Sequence, residues 1–462
     1  MGRLCYLRLD RPGVFFSSPP WDVTLNEVNQ MQTCTALRSA LQAGEYDAAL
    51  AALYALDGTR ASLDRARDRA LRMADAFANA FPANGNETAL FSGPGRTEIG
   101  GNHTDHQHGH VLCGSVDLDM LACAAPNGTK TVHILSEGYP ALSVDLTSLE
   151  PTAGEENTSA ALVRGVAARM HQLGYPVGGF DACVTSTVLS GSGLSSSAAY
   201  EVLVGCILNR FFCGGVLDSI EIAKIGQYAE NVFFGKPCGL MDQMGSSVGG
   251  AVAIDFADPA APVVHPVAYD FTKSGHALCI VDTGSCHADL TDDYADIPGE
   301  MGAVAAYFGK QVLREVPEDD FRASLPALRE QCGDRAVLRA LHYYDDDRKA
   351  VAEAQALEAG DFARFLDLVN ASGLSSALHL QNTWSIADPR QQAIPVALAV
   401  GRELLAGAVA IRVHGGGFAG TIQAFVPLDK LEHFKAGMER VLGPGTCHIL
   451  HIRAVGGTEI RP

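Results

Sequence analysis

The chain has 462 residues, of which 47% are hydrophobic and 19% are charged, and its formal net charge is −19. This length and composition are typical of a folded protein with room for two domains, and they exclude a largely disordered chain. The acidic surplus argues against a sequence-independent nucleic-acid surface and an anionic-membrane surface, but not against one nucleotide, whose phosphates can bind backbone amides and Mg²⁺.

The amino-terminal segment "MGRLCYLRLDRPGVFFSSPP" lacks the continuous apolar stretch of a signal peptide. No apolar run approaches the length of a membrane-spanning helix. The twelve cysteines form no C-x-x-C pairs, which favours reduced thiols. We therefore predict a cytoplasmic protein with neither a membrane nor a nucleic acid as partner.

Residues 1–87 have helical patterning. Thr24 to Glu27 forms a capping-box pattern, and "EYDAALAALYALDG" is an Ala- and Leu-rich run that stops at Gly58. In "SLDRARDRALRMADAFANAF" the apolar residues recur on one helical face. We predict a helical N-terminal extension whose role is stabilising packing, with regulation or oligomerisation as the alternative.

From residue 88 onward the pattern becomes mixed α/β. "DACVTSTVLS" and "HALCIVDTG" are typical of strands, and "SSSAAYEVLVGCILNRFF" is typical of an amphipathic helix. Long helical stretches follow through "RALHYYDDDRKAVAEAQALEAGDFARFLDLV", and the chain closes with "AVAIRVHGGGFAGTIQAFVP" and "HILHIRAV", which indicate strands. The fold class predicted from this order is α/β (α+β).

A glycine- and serine-rich loop lies between the predicted strand and helix near residue 190. Small residues there let backbone amides approach phosphate oxygens, and the helix N-terminus adds its dipole. No lysine precedes the serine pair, so this is not a Walker A loop, whereas a Rossmann dinucleotide loop and a turn that binds nothing remain alternatives. The candidate phosphate-binding residues are Gly191, Ser192, Gly193, Leu194, Ser195, Ser196 and Ser197.

Two further segments carry chemically useful residues. "AENVFFGKPCGLMDQMGSSVGG" contains Glu230 and Asp242, and a carboxylate pair near serine hydroxyls suits Mg²⁺-assisted phosphoryl transfer. The alternative is two surface acids. "HGGGFAG", residues 414–420, indicates either an unusual backbone conformation or close approach to a ligand.

The segment "GNHTDHQHGH", residues 101–110, places His103, His106, His108 and His110 around Asp105. Imidazole and carboxylate groups are the ligands that zinc prefers, so a zinc-dependent hydrolase is one interpretation. These residues alone leave the question of a metal site open.

Together these motifs resemble one family. "GRTEIGGNHTDHQHGHVL", "GSGLSSSAA", "GKPCGLMDQ" and "HGGGFAG" occur in the order and approximate spacing of the galactokinases, in the GHMP small-molecule kinase superfamily. The resemblance runs from about residue 88 to the C-terminus. It implies a two-domain GHMP kinase fold with the active site between an N-terminal domain, 88–270, and a C-terminal domain, 271–462.

The resemblance also implies roles for individual residues. ATP would transfer its γ-phosphoryl group to the anomeric hydroxyl of galactose or a closely related hexose, with Mg²⁺ present. Arg96 would lie beside the transferred group, and Asp242 would accept or orient the hydroxyl proton. Ser197 and Glu230 would bind Mg²⁺. The sugar would contact Asn102, His103, Thr104, Asp105 and Tyr294.

The chain departs from the family at several positions. Galactokinases usually have Glu at Asn102, Tyr at His106, Gly at Ala419 and Pro near Leu189. The basic pair that follows the sugar-contacting tyrosine is replaced by residues 297–298. The first two departures alter the expected sugar pocket and leave the identity of the hexose open, whereas phosphoryl transfer is still expected. Two alternatives to the kinase are kept: a catalytically inactive sugar sensor and, less favoured, the zinc hydrolase. We expect a monomer or a small homo-oligomer.

Overall fold

The structure, a computed structural model, describes residues 32–54, 57–85, 87–188, 193–236, 238–285, 290–407 and 410–462. The capping-box residues Thr24 to Glu27 and two phosphate-loop residues, Gly191 and Ser192, lie outside these ranges. From Gln32 to Pro462 the chain forms one compact unit. The predicted mixed α/β class with preceding helices is confirmed. No helix of the described ranges is long and apolar enough to cross a membrane.

The helices and strands fall largely where the sequence patterns predict them. The helices are α1 Cys34–Ala43, α2 Asp47–Tyr54, α3 Arg60–Ala80, α4 Ser159–Gln172, α5 Ser196–Phe212, α6 Ser219–Tyr228, α7 Met241–Ser247, α8 Thr291–Tyr307, α9 Glu318–Ala323, α10 Leu325–Gln331, α11 Asp334–Glu358, α12 Phe362–Ser375, α13 Ala393–Leu405 and α14 Leu431–Leu442. The strands are β1 Ala89–Gly100, β2 His110–Pro126, β3 Thr131–Ser136, β4 Leu142–Asp145, β5 Phe180–Ser186, β6 Ala251–Asp255, β7 Val263–Val267, β8 His276–Asp282, β9 Ala410–Val413, β10 Thr421–Pro427, β11 Cys447–Leu450 and β12 Thr458–Ile460.

The strands form two sheets. The larger has the order β12-β1-β2-β5-β3-β4, and β6 joins it on β2 with β7 outside β6. Its pairs are antiparallel except for β3 and β5, which run parallel. The smaller sheet has the antiparallel order β11-β8-β10-β9. The predicted domain boundary at 270/271 stays a prediction, and β12 returns from the end of the chain to the larger sheet.

The larger sheet is covered by helices on both faces. Successive strand residues point to opposite faces, so Leu90 packs with the helices α1 to α3 while Phe91 packs with α4 and α5. Helix α3 buries Ala70 and Phe77 from the predicted apolar face, and Thr59 caps its N-terminus. The described part of the N-terminal extension therefore shares a hydrophobic core with the strand that carries the candidate site.

Candidate active site

Arg96 on β1 brings together three segments that are far apart in the sequence. Its Nε and Nη2 atoms donate to Oδ1 of Asp242 at 2.9 and 2.5 Å. Its Nη1 atom donates to the carbonyl oxygen of Gly193 in the phosphate loop. β1 is buried along its whole length, and it has bulges on either side of Arg96, which re-aim side chains out of the regular pleat.

The ion pair keeps both partners charged. Burial opposes the charge on Arg96, but the facing carboxylate outweighs it and raises the pKa of Arg96. Burial also opposes ionisation of Asp242, yet the charge of Arg96 and a hydrogen bond from Ser195 lower the pKa of Asp242. The Asp242 side chain remains 24% exposed, so a solvent-accessible carboxylate lies beside an almost fully buried guanidinium group.

Helix α7 positions Asp242 in its first turn, where the helix dipole favours a negative charge. Gly245 allows this helix to approach β1 closely, because a Cβ atom there would lie 3.0 Å from the Cβ of Arg96. The segment "CGLMDQMGSS" therefore presents Asp242 toward Arg96 through helix packing.

A second carboxylate lies next to a serine hydroxyl at the start of α5. Ser197 Oγ donates to Oε1 of Glu230 at 2.9 Å, and Glu230 is 1% exposed. Gln243 Nε2 donates to Oε2 of Glu230 at 2.8 Å. Since Gln243 directly follows Asp242, the chain links Glu230 to the Arg96–Asp242 pair.

Sequence reasoning missed Glu201 and Gln243. Gln243 Nε2 also donates to Oε2 of Glu201 at 2.9 Å, and both side chains are fully buried. Burial and then the Glu230 charge raise the pKa of Glu201 well above its ordinary range. The available signal was a lone carboxylate inside the apolar run "AYEVLVG", because an ionisable residue in a buried helix is rarely without a partner.

The two glycine-rich loops meet at Gly193. Gly193 has a φ of +73°, and a Cβ atom there would lie 3.1 Å from Nδ1 of His414. His414 is held by the hydroxyls of Thr421, at 3.0 Å, and Thr97, at 3.1 Å. The backbone of Ser195 is left-handed, with φ 55°, and α5 begins at the next residue with no acidic side chain in its first turn. Such a helix N-terminus is suited to binding a phosphate group.

Two of the predicted sugar-contacting residues use their side chains inside the protein. Asn102 is fully buried and its Nδ2 atom donates to Oε1 of Glu98 and to the carbonyl oxygen of Gly415, both at 2.8 Å. Thr104 is fully buried as well, and its hydroxyl oxygen lies within hydrogen-bond distance of the carbonyl oxygens of Gly101, at 2.8 Å, and His110, at 2.5 Å, so its one proton is donated within the protein. Direct sugar contact by these two side chains stays a prediction to which the geometry adds no support.

The side chains of His103 and Asp105 are half-buried, and so more exposed than those of Asn102 and Thr104. Nε2 of His103 donates to the carbonyl oxygen of Gly416 at 3.0 Å, which assigns the proton to that nitrogen. Burial and the neighbouring His106 lower the pKa of His103 to about 4, so the ring is neutral. A Cβ atom at Gly239 would lie 2.6 Å from Oδ2 of Asp105, so Asp105 touches the loop that leads to Asp242.

Tyr294 packs on the second glycine loop. Its hydroxyl donates to the carbonyl oxygen of Gly417 at 2.8 Å, and a Cβ atom at Gly416 would lie 2.5 Å from its ring. Phe418 contacts the same ring edge-on. Burial raises the pKa of Tyr294 to about 12, so the hydroxyl keeps its proton and acts as a donor.

The zinc interpretation gains no support. Among the described residues, which include all of 101–110, no group of three or more His, Cys, Asp or Glu residues could hold a metal ion. His110 instead contacts Oδ1 of Asp347 at 3.0 Å and lies 3.3 Å from Asp255. The His106 side chain is 41% exposed.

Comparisons with known proteins agree with this geometry. A family model described as the GHMP kinases N terminal domain matches residues 161–250, and one described as the galactokinase galactose-binding signature matches residues 75–126. The crystal structure of Lactococcus lactis galactokinase complexed with galactose has a TM-score of 0.70 at 24% identity and covers 83% of this chain and 98% of its own. L. major mevalonate kinase, in complex with R-mevalonate, has a TM-score of 0.55 at 13% identity over 79% of this chain and 96% of its own.

A curated galactokinase from Streptomyces coelicolor is 30% identical to this chain over 334 residues, which is 72% of this chain and 83% of that protein. This match is longer than that of either family model. Together with the shared fold and the meeting of the phosphate loop, Arg96 and Asp242, it shows that the chain belongs to the galactokinase family of ATP-dependent sugar kinases.

Proposed function

We propose that this family member transfers the γ-phosphoryl group of ATP to the anomeric hydroxyl of galactose or a closely related hexose. The observation that carries the proposal is the Arg96–Asp242 ion pair, since Arg96 also contacts Gly193 of the phosphate loop. On the other side, Asp105 of the sugar motif touches Gly239, three residues before Asp242. A nucleotide and a sugar can thus approach the same pair of charged groups from two sides.

Arg96 and Asp242 would share the chemical step. An arginine next to the reacting phosphoryl group stabilises the negative charge that develops in the transition state. The lowered pKa of Asp242 keeps its carboxylate ionised, so it can accept a hydrogen bond from the attacking hydroxyl and then its proton. The phosphates would bind the N-terminus of α5 and the loop 191–197.

Ser197 and Glu230 fit a magnesium ion. Their oxygen atoms lie 2.9 Å apart, and hydroxyl and carboxylate oxygens are the ligands that Mg²⁺ prefers. When bound, the ion would neutralise phosphate charge and orient the triphosphate. Gln243 would hold Glu230 in place by its 2.8 Å hydrogen bond.

The sugar motif would divide into contacting and supporting residues. His103 and Asp105 are half-buried, and Asp105 touches the loop that leads to Asp242, so we assign both to the hexose hydroxyls. Asn102 and Thr104 would support the loop that carries them, because their side-chain polar groups already bond within the protein. Tyr294 would support the glycine loop beside the sugar.

A panel of free hexoses with Mg-ATP, scored for ADP release, tests the proposal. We expect the highest kcat/KM with galactose or a close stereoisomer, and a product whose phosphorus nucleus couples to the anomeric proton in the NMR spectrum. Phosphorylation at another hydroxyl would contradict it. Binding of ATP and sugar without ADP release would instead favour the inactive sensor, although Arg96, Glu230 and Asp242 are all retained.

We also propose a reducing compartment, the cytoplasm, for this chain. The ten cysteines in the described ranges are all free, and eight of them are buried. Disulfides persist in oxidising compartments, whereas buried free thiols are typical of proteins kept reduced. Fractionation of the native host, with a cytoplasmic marker as reference, tests this assignment.

A further inference from the structure

We infer that Glu98 and Asn102 are positioning residues, whose buried hydrogen bond aligns the sugar loop, residues 101–110, with the C-terminal glycine loop, residues 414–420. The inference rests on the proposed function for the choice of substrate in its test. It concerns a pair of side chains that are 5% and 0% exposed and have no part in the chemical step.

The Asn102 side chain bonds to four residues in three segments of the chain. Its Nδ2 atom donates to Glu98 Oε1 on β1 and to the carbonyl oxygen of Gly415, each at 2.8 Å. Its Oδ1 atom accepts from Asn382 Nδ2 at 2.8 Å and from Ser376 Oγ at 3.3 Å. Because a carbonyl oxygen can only accept, the amide must turn its nitrogen toward Gly415, which fixes the direction of every other bond in the group.

Arg412 fixes the other end of this pair. It is 1% exposed, its Nη2 atom lies 3.0 Å from Oε1 of Glu98, and its Nη1 atom donates to the carbonyl oxygen of Ile99 at 2.6 Å. Arg412 is on β9, two residues before the glycine loop. One oxygen of Glu98 therefore accepts from both the sugar loop and the strand that leads into the glycine loop.

The backbone of Asn102 is held as firmly as its side chain. Its amide donates to Asp346 Oδ2 at 2.8 Å, and its carbonyl oxygen accepts from His342 Nε2 at 2.9 Å. The next residue, His103, has a φ of 59° and donates to the carbonyl oxygen of Gly416. A change at Asn102 should therefore displace His103 and the glycine loop together, and with them the proposed sugar contacts.

A reciprocal pair of isosteric variants tests this alignment. Asn102→Asp replaces a double donor by acceptors that face Glu98 and Gly415, so we expect the sugar KM to rise about tenfold or more. Glu98→Gln/Asn102→Asp again places one carboxyl group in the cluster, now at position 102. Because Glu98 Oε1 contacts both Asn102 and Arg412, the new amide must rotate so that its nitrogen donates to the carboxylate at position 102 and its oxygen accepts from Arg412. The double variant should recover at least about threefold of the lost sugar kcat/KM, with the ATP KM within about twofold throughout.

Asn127→Asp is the matched control. Asn127 directly follows the C-terminal end of β2, whereas His110 begins that strand. Like Asn102, it donates through Nδ2 to a carboxylate and to a carbonyl: Asp181 Oδ1 at 2.8 Å and the carbonyl oxygen of Thr131 at 2.9 Å. Asn127→Asp should lower the Tm without changing the sugar KM. Equal sugar kcat/KM in Asn102→Asp and the double variant would overturn the inference.

Two outcomes are decided by other measurements. If Asn102→Asp does not fold, Glu98→Gln alone should raise the sugar KM about threefold or more, and an unchanged KM with a lowered Tm would make the pair merely structural. If the wild-type protein phosphorylates no sugar of the panel, the proposed function fails. The pair is then judged from the Tm values of the wild type, Asn102→Asp, Glu98→Gln and the double variant. Additive losses of Tm overturn the inference, and a recovery of Tm in the double variant supports it.

Discussion

Asp242→Asn is the substitution that tests the proposed chemistry most directly. The amide has nearly the shape of the carboxylate, and its oxygen can still accept both hydrogen bonds from Arg96, which go to Oδ1, but the substitution removes the negative charge and the proton acceptor. A positioned base contributes about 10²–10⁴-fold to a rate, which corresponds to about 3–5 kcal/mol of activation free energy. We expect kcat to fall within that range and the ATP KM to change little.

Asp242→Asn should also lower the free energy of unfolding, and the partial solvent exposure of the ion pair limits this loss. Arg96 loses its counterion while its side chain is only 7% exposed, but Asp242 is 24% exposed and Arg96 keeps its bond to Gly193. We expect a loss of about 1–3 kcal/mol in the free energy of unfolding. Rates must therefore be referred to the folded fraction, measured by denaturant titration of each protein.

Asp47→Asn is the matched control for this experiment. Asp47 is 27% exposed and pairs with Arg67 through two nitrogen atoms, on the N-terminal helices away from Arg96. The control should lose stability and keep its kcat on the best sugar. If Asp242→Asn retains near wild-type kcat per folded molecule, or if Asp47→Asn loses as much, the assignment of Asp242 to the chemical step is wrong.

Three further outcomes follow from the same geometry. Glu230→Gln should raise the Mg²⁺ concentration required for half-maximal activity while sugar binding, measured calorimetrically, is kept; an unchanged requirement would remove Glu230 from the ion site. Gly93→Ala should destabilise the fold by about 1–3 kcal/mol, because its Cβ atom would lie 2.3 Å from the carbonyl oxygen of Ala199 on α5; an unchanged denaturation midpoint would contradict that contact. The hydrogen bond to Asp347 raises the pKa of His110. The stability that this hydrogen bond contributes is therefore full below about pH 6.5, the ordinary pKa of histidine, and is lost as the pH rises through the higher pKa of the folded protein. His110→Gln should flatten the pH dependence of the free energy of unfolding in that window.

Much of the local structure follows from the sequence alone. The apolar face of "SLDRARDRALRMADAFANAF" is buried in α3, because a period of 3.6 places those side chains on one side of a helix. The continuous apolar run in "HALCIVDTG" becomes β8, which is buried at consecutive residues and so on both faces. The motif order also indicated the family, since each motif is a short segment whose chemistry is local. The glycine positions carried information of the same kind, as Gly193 and Gly417 both adopt positive φ.

The sequence could not assign partners across long separations. Asn102 has the residue type of a sugar-contacting group, but only the tertiary structure turns its amide toward Glu98 and Gly415, 313 residues later. Glu201 lies in no motif, and Gln243 ends the motif "GKPCGLMDQ" without a predicted role; both matter because helices α5 and α7 bring them to Glu230. A hydrogen-bond partner is determined by three-dimensional proximity and burial, and residue spacing encodes neither. The sequence therefore indicated the chemistry of each motif, but only the tertiary packing decided which of its residues face the substrate and which support the fold.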